Sequence, residues 1–319
     1  MRVFLLHPDR DFDTARPLPP QAADLERDLG LDVLFGAMAA GDGFLLETVR
    51  QVVLADAGVE LEDVLYRQEV LRDFLERPEL AWELYRTALA YRERKREQWL
   101  LVSRHSRPAS VLSGGRRLLG ASLDLMRRLR QLADEHGGRV ASRGLRRFFA
   151  MVRDELDDKY LEEVARHVEA LRFPSGVPLS VRLGKGNEGA DYVLCPPDGA
   201  GRARLRGVFG RRAPSYTFRL PPRDDASAQV VAELRDRGLA RTAAAVAQAA
   251  DHVEGFFEVL RRELAFYLGC LNLHERLVSG GLAVAFPDPA SPGSGRFSCR
   301  ALYDVSLALT SDRPVVGND

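Results

Sequence analysis

Lysine is almost missing from this chain of 319 residues: only Lys95, Lys159 and Lys185 occur, so nearly every cation is an arginine. Such a bias is typical of a GC-rich coding sequence, and it takes weight from any argument built on a single arginine. Cysteine is scarce as well. Cys195, Cys270 and Cys299 stand far apart without CxxC spacing, which excludes a zinc knuckle and a disulfide framework and fits reduced thiols. No stretch of about 18 apolar residues exists, and the opening MRVFLLHPDRDF has too short an apolar run for a signal peptide. A soluble cytoplasmic protein with no membrane partner is therefore expected. Charge of one sign is not in excess either, with 46 bases against 46 acids, so any contact with a polyanion has to come from a local patch.

Catalytic signatures are absent too. No GxxxxGK[ST] is present to cradle phosphates, no HRD or DFG, and no GxSxG. The six histidines are scattered. The acids Asp154, Glu155, Asp157, Asp158, Glu162 and Glu163 sit on a helical pattern without a histidine to complete a metal set, and read as a solvated face. These residues are expected to form no enzyme active site, with no catalytic, cofactor-binding or metal-binding residue among them.

At 45% apolar and 29% charged, the composition is that of a globular protein, large enough for one big domain or two to three ordinary ones. Its longest pattern runs from Thr242 to Leu277. Val246, Ala249, Val253, Phe256, Phe257, Leu260, Leu264, Leu268 and Leu271 alternate steps of three and four, which predicts a helical rod about 54 Å long. A single rod cannot bury its own stripe, so a long partner is required. Ser142 reads as the N-cap of a second rod reaching Leu171 through Phe148, Phe149, Val152, Leu156 and Val168. The two rods are expected to pack antiparallel as one arm.

The remainder divides by composition. Residues 1–20 read as an extended lead-in with RPLPP, and 21–112 as a helical core of short helices, one from Gln21, one from Phe44 to Ala55, then Val59 to Glu76 and Pro78 to Leu101. The Ser/Arg/Pro stretch 103–110 and Gly114–Gly115 mark a joint ahead of lever helices over 113–176. Residues 177–222 change to strand chemistry, with VPLSVRL, ADYVLC, ARLRGVF and SYTFRL separated by turn residues, predicting three or four antiparallel strands as a small insertion. A helix from Ala228 to about Arg237 then leads into the returning rod within 223–280. In 281–319, two or three further strand-like runs end at Asp319 without a polar tail, as a cut through a larger protein would. The fold class expected is mainly α: a multi-helix core bundle plus long antiparallel lever helices with a small antiparallel β insertion.

Two local motifs remain. Gly184-Lys185-Gly186-Asn187-Glu188-Gly189 matches GxGxxG, but a strand follows it where a helix N-terminus would be needed to hold a pyrophosphate, so it reads as a hairpin turn. In a strand, Arg202, Arg204 and Arg206 share one face at a spacing of about 6.6 Å, close to the phosphate repeat of one DNA strand, with Arg211 and Arg212 just beyond. That ladder suits contact with a nucleic-acid backbone without base reading. It suits equally a charged edge strand that resists aggregation.

EVLRRELAFYLGCLNLHERL, followed by a proline-bearing loop, FSCRALYDVSLAL and the terminal Val316-Gly317-Asn318-Asp319, resembles the MutS family of DNA mismatch-repair proteins where the lever returns to the ATPase domain. RQEVLRDFLERPELAWELY is similar to a stretch of that family's core domain. The resemblance spans roughly Leu25 to Asp319. It implies a core-and-lever fragment that couples a downstream ATPase to a DNA-embracing tip, with residues 281–319 beginning the ATPase domain. It also implies ATP and magnesium for the parent protein, none in these residues, and a parent homodimer. Duplex DNA is then the expected partner, held weakly and without sequence preference by Arg202, Arg204, Arg206, Arg211 and Arg212. The competing expectation is a helical scaffold for protein partners with no DNA role.

Overall fold

The structure is a computed structural model that describes all residues except 14, 56–59, 100–106, 175, 188, 196–224, 292, 296 and 312. It is mainly α. In chain order come α1 (Ala22–Asp28), α2 (Leu31–Ala39), α3 (Gly43–Ala55), α4 (Leu61–Glu76), α5 (Pro78–Trp99), α6 (Pro108–His136), α7 (Arg143–Glu155) and α8 (Asp158–Ala170). Strands β1 (Leu179–Leu183) and β2 (Gly189–Leu194) follow, then α9 (Asp225–Ser279) and α10 (Val305–Thr310). No described helix is long and apolar enough to cross a membrane.

The chain forms two compact units. One comprises Met1–Arg92, Asp124–Asp157 and Gly255–Asp319; the other, Glu93–Leu123 and Asp158–Glu254. Three helices, α5, α6 and α9, thus have residues in both.

In the first unit the α9 stripe lies in the core: Phe256, Phe257, Leu260, Leu264, Tyr267, Leu268 and Leu271 are all buried. Phe257 stacks on Tyr91 at 4.7 Å and 13°, and Phe74 meets Tyr267 at 5.3 Å. Close approach is possible at Gly269, where a Cβ would stand 2.6 Å from Val49 Cγ1. Ser142 caps α7 by accepting from Leu145 N at 3.3 Å, as its place ahead of the apolar run predicts, and α7 packs on α4.

The N-terminal residues have no regular secondary structure, yet they are core. Val3, Leu5, Leu6, His7 and Phe12 are buried. A chain with no partner strand has to satisfy its backbone groups otherwise, and side chains of the helices do so. Glu263 of α9, fully buried, accepts from Leu5 N at 2.7 Å, Leu6 N at 3.2 Å and Phe12 N at 2.8 Å. Tyr267 donates to Leu5 O, Tyr66 to Phe4 O, and Arg67 Nε to Leu6 O. His7 Nδ1 lies 3.1 Å from Asp63 Oδ1. Burial pushes Asp63 up, but the hydrogen bond and charge of His7, with Arg10 and Arg67, outweigh it and leave the carboxyl below its ordinary pKa.

The second unit has its core at Leu112, Leu239, Ala243 and Val246. Lys95 of α5 pairs with Glu254 of α9. Here β1 and β2 pair antiparallel, Leu179 opposite Leu194 and Leu183 opposite Gly189, with an irregularity between Ser180 and Arg182. A 3-10 turn at Lys185–Asn187 joins them, so the glycine-rich motif is a hairpin turn, with Gly186 at φ 78°.

Several expectations are corrected. The rod from Ser142 to Leu171 is two helices that break at Leu156 and Asp157, and the two fall in different compact units. Leu156 is buried, so its place in the apolar pattern concealed the break. The single arm pairing that rod with Thr242–Leu277 does not hold as one continuous packing. Gly114–Gly115 are no joint: α6 runs through them, and Gly115 is small because a Cβ there would meet Val246 Cγ1 at 2.8 Å. The returning helix is longer than expected, continuous from Asp225 with no break near Arg237. Gln21 to Met38 is two helices separated at Gly30, whose φ is 61°. Among the described residues the insertion has two strands; ARLRGVF and SYTFRL lie outside them. Near the C-terminus the strand-like DVSLALT is the helix α10, started by Asp304, which accepts from Leu307 N at 2.9 Å. Among the described residues there, only Leu302 and Asn318 pair, as an isolated antiparallel bridge.

Candidate nucleic-acid interface

The insertion between α8 and α9 belongs to the second unit, where β2 ends at Leu194 and α9 begins at Asp225. Arg202, Arg204, Arg206, Arg211 and Arg212 fall between those points and lie outside the described residues. The acids Asp154, Glu155, Asp157, Asp158, Glu162 and Glu163 are all exposed, the solvated face expected of them, and Glu155 accepts the N-terminal ammonium at 2.8 Å. Among the described residues no group of three or more His, Cys, Asp or Glu is placed to hold a metal ion.

A concave feature of the second unit escaped the sequence reading. A cleft of about 680 Å³ is bounded by the first turns of α6, the chain leaving α8, the start of β1 and residues Val231 to Leu239 of α9. Its floor is apolar: Leu112 and Leu239 are buried, with Leu171 and Phe173 beside them. Among the described residues its charged lining residues are Arg116, Arg172 and Arg235, with no carboxylate. Arg172 is held by Glu169 at 3.1 Å. Arg116 is half-buried, and burial lowers its pKa, helped by the neighbouring charges of Arg172 and Arg117 and opposed by Glu169. Like charges gathered over an apolar floor form an electropositive depression.

Local geometry turns Phe173 into that cleft's wall. After α8 the chain closes three turns, with Leu171 N donating to His167 O, Arg172 N to Glu169 O and Phe173 N to Ala170 O. Phe173 then takes φ 48°, a left-handed conformation rare for a bulky side chain, and its carbonyl accepts from Gly176 N at 3.0 Å. No local motif announces this site, since its residues come from segments more than fifty positions apart in sequence.

The first unit has a cleft of its own, about 550 Å³, with apolar walls including Leu71, Phe266, Leu273 and Phe286. Gln68 Nε2 donates to Pro287 O at 3.0 Å and Arg72 lies 4.4 Å from the centre of the Phe286 ring, fixing the segment that follows α9. Burial pushes the Cys270 thiol in its wall up to about 12, so it stays protonated at neutral pH and offers no nucleophile.

Residues 59–279 match the family described as the MutS2 N-terminal domain. No curated protein and no solved structure matches the chain. The matched range opens just before α4 and closes on the last residue of α9, so it holds the hairpin insertion and all of the second unit, while the tail carrying part of the sequence resemblance lies beyond it. Because that range covers well over half of the 319 residues, the chain belongs to the MutS2 N-terminal domain family.

Proposed function

We propose that this chain is the core and lever part of a MutS-like DNA repair protein, coupling a downstream ATPase to a tip that holds DNA and senses a mismatch or another DNA structure. The observation that carries the reading is α9. It is one uninterrupted helix whose first residue, Asp225, adjoins the arginine-rich insertion and whose last turns, around Glu263 and Tyr267, are built into the core of the first unit. Every i to i−4 hydrogen bond of such a helix resists bending, so a displacement at one end is passed to the other instead of being absorbed by a loop. Family membership supports the same reading.

ATP and magnesium belong to the downstream domain in this proposal. The present residues have no glycine-rich phosphate cradle and do not hydrolyse ATP themselves. Residues 281–319 lead into that domain, through which two copies of the parent associate. Work is done in the cytoplasm, on duplex DNA.

The tip contacts backbone phosphates through Arg202, Arg204, Arg206, Arg211 and Arg212. Three to five such contacts give a log–log salt slope of roughly −3 to −4.5 and dissociation constants of about 10⁻⁴ to 10⁻⁶ M. Titrating duplex DNA at several salt concentrations, against wild type and a variant with Arg202, Arg204 and Arg206 changed to Ser, tests this. The variant is expected to bind more weakly with a shallower slope. Identical titrations would leave the ladder as an edge-strand guard and favour a helical scaffold for protein partners.

A further inference from the structure

We propose that the cleft of the second unit is a nucleotide site, with a phosphate held by Arg116, Arg172 and Arg235 and the attached base laid on the apolar floor beside Phe173. Four observations converge on it. The cleft, about 680 Å³, lies in the range of small-molecule sites. Among the described residues its charged lining residues are all cationic, which favours an anion. Arg116 and Arg235 have no hydrogen bond or ion pair among the described residues, which leaves the donors of two guanidinium groups unused by those residues. The floor is aliphatic with one aromatic ring, which suits the face of a base and gives inorganic phosphate alone no use for it. The left-handed backbone of Phe173 is a local cost borne where that ring meets the cleft.

A free nucleotide and an unpaired nucleotide of a DNA strand offer the same chemistry. The occupant inferred here is the second, which rests on the DNA-binding reading above. In a duplex each base is stacked and paired and presents only its edge in a groove, so a base can lay its face on the apolar floor only where pairing has been lost. Duplex contact at the tip and unpaired-nucleotide contact in the cleft would together favour DNA with a single-stranded stretch.

The test is fluorescence anisotropy with a labelled oligo(dT) strand, a labelled duplex of equal length, and unlabelled dTMP as competitor. Wild type is compared with Arg116→Gln/Arg172→Gln, and with the tip variant in which Arg202, Arg204 and Arg206 are Ser. Circular dichroism checks folding, and Arg172→Gln/Arg235→Gln, confined to exposed residues, replaces the first variant if it is unfolded. Expected are a loss of about tenfold or more for oligo(dT) in the cleft variant with its duplex binding within about twofold of wild type, and displacement of oligo(dT) by dTMP in wild type and the tip variant but not in the cleft variant. Equal losses for strand and duplex would overturn the proposal, since the arginines would then act only through their general field. Unchanged oligo(dT) and dTMP binding in the cleft variant would overturn it too, while normal duplex binding left the proposed function standing. Failure of every DNA to bind, with dTMP still held by wild type and not by the cleft variant, would keep the nucleotide site and remove the DNA reading. If wild type binds neither dTMP nor oligo(dT), the site is refuted.

Discussion

Replacing Glu263 with Ala is expected to lower the unfolding free energy by roughly 3–9 kcal/mol, since each buried donor left without a partner costs about 1–3 kcal/mol. Three are involved: the N–H groups of Leu5, Leu6 and Phe12 all end on this one carboxylate, in a place with no solvent access. The substitution would also loosen residues 5–12, since Glu263 holds both Leu5–Leu6 and Phe12. Urea unfolding followed by circular dichroism measures the effect. A loss under about 1 kcal/mol would mean that water replaces the carboxylate and that the N-terminal segment is not core.

Acidity adds a second signature at the same residue. Burial pushes Glu263 up to about 7, with the charge of Asp11 adding to the rise and the three N–H groups opposing it. A carboxyl whose folded pKa lies above its unfolded value, here 4.5, takes up a proton on folding between the two. Its contribution is therefore fully present below about pH 4.5 and is lost as pH rises to about 7, by something on the order of 3 kcal/mol at about 1.36 kcal/mol per pKa unit. Glu263→Gln cannot ionise, so its stability relative to wild type should rise across that interval. A constant difference between the two would show that the carboxyl titrates alike in both states.

Phe257→Ala carries the second large effect, about 3–5 kcal/mol for truncating a fully buried ring. Phe257 is 1% exposed and stacked on Tyr91, with Phe256 edge-on at 5.3 Å, so little can move in to fill the space. Phe256→Ala, on the same stripe and 5% exposed, should cost a similar amount. Losses under about 1 kcal/mol at both would mean the α9 stripe is not the core of the first unit.

Those phenylalanines also mark what the sequence made legible. A 3.6-residue period is a property of one helix, so Val246 through Leu271 revealed the returning helix without knowledge of its partners. The Ser142 cap and the hairpin at Gly184–Gly189 were equally local, each set by a few neighbouring residues. What stayed hidden depends on distant ones. Gly115 reads as a joint until Val246, on another helix, is found against it. Leu156 fits a helical stripe whether or not the helix continues through it. MRVFLLHPDRDF reads as a lead-in because its hydrogen-bond partners are Glu263, Tyr267 and Tyr66, none of them near it in sequence. The arginine cleft is the extreme case, since three segments each carry one cation and nothing local distinguishes Arg116, Arg172 or Arg235 from the chain's many other arginines.

Hydrogen exchange with and without DNA bears most directly on the claim that this part of the protein holds DNA through its insertion. Added duplex or partly single-stranded DNA should slow exchange in residues 179–224, and with an unpaired strand also in 108–116 and 171–177, while residues 1–92 stay unchanged. Uniform exchange throughout, or protection confined to residues 1–92, would contradict it.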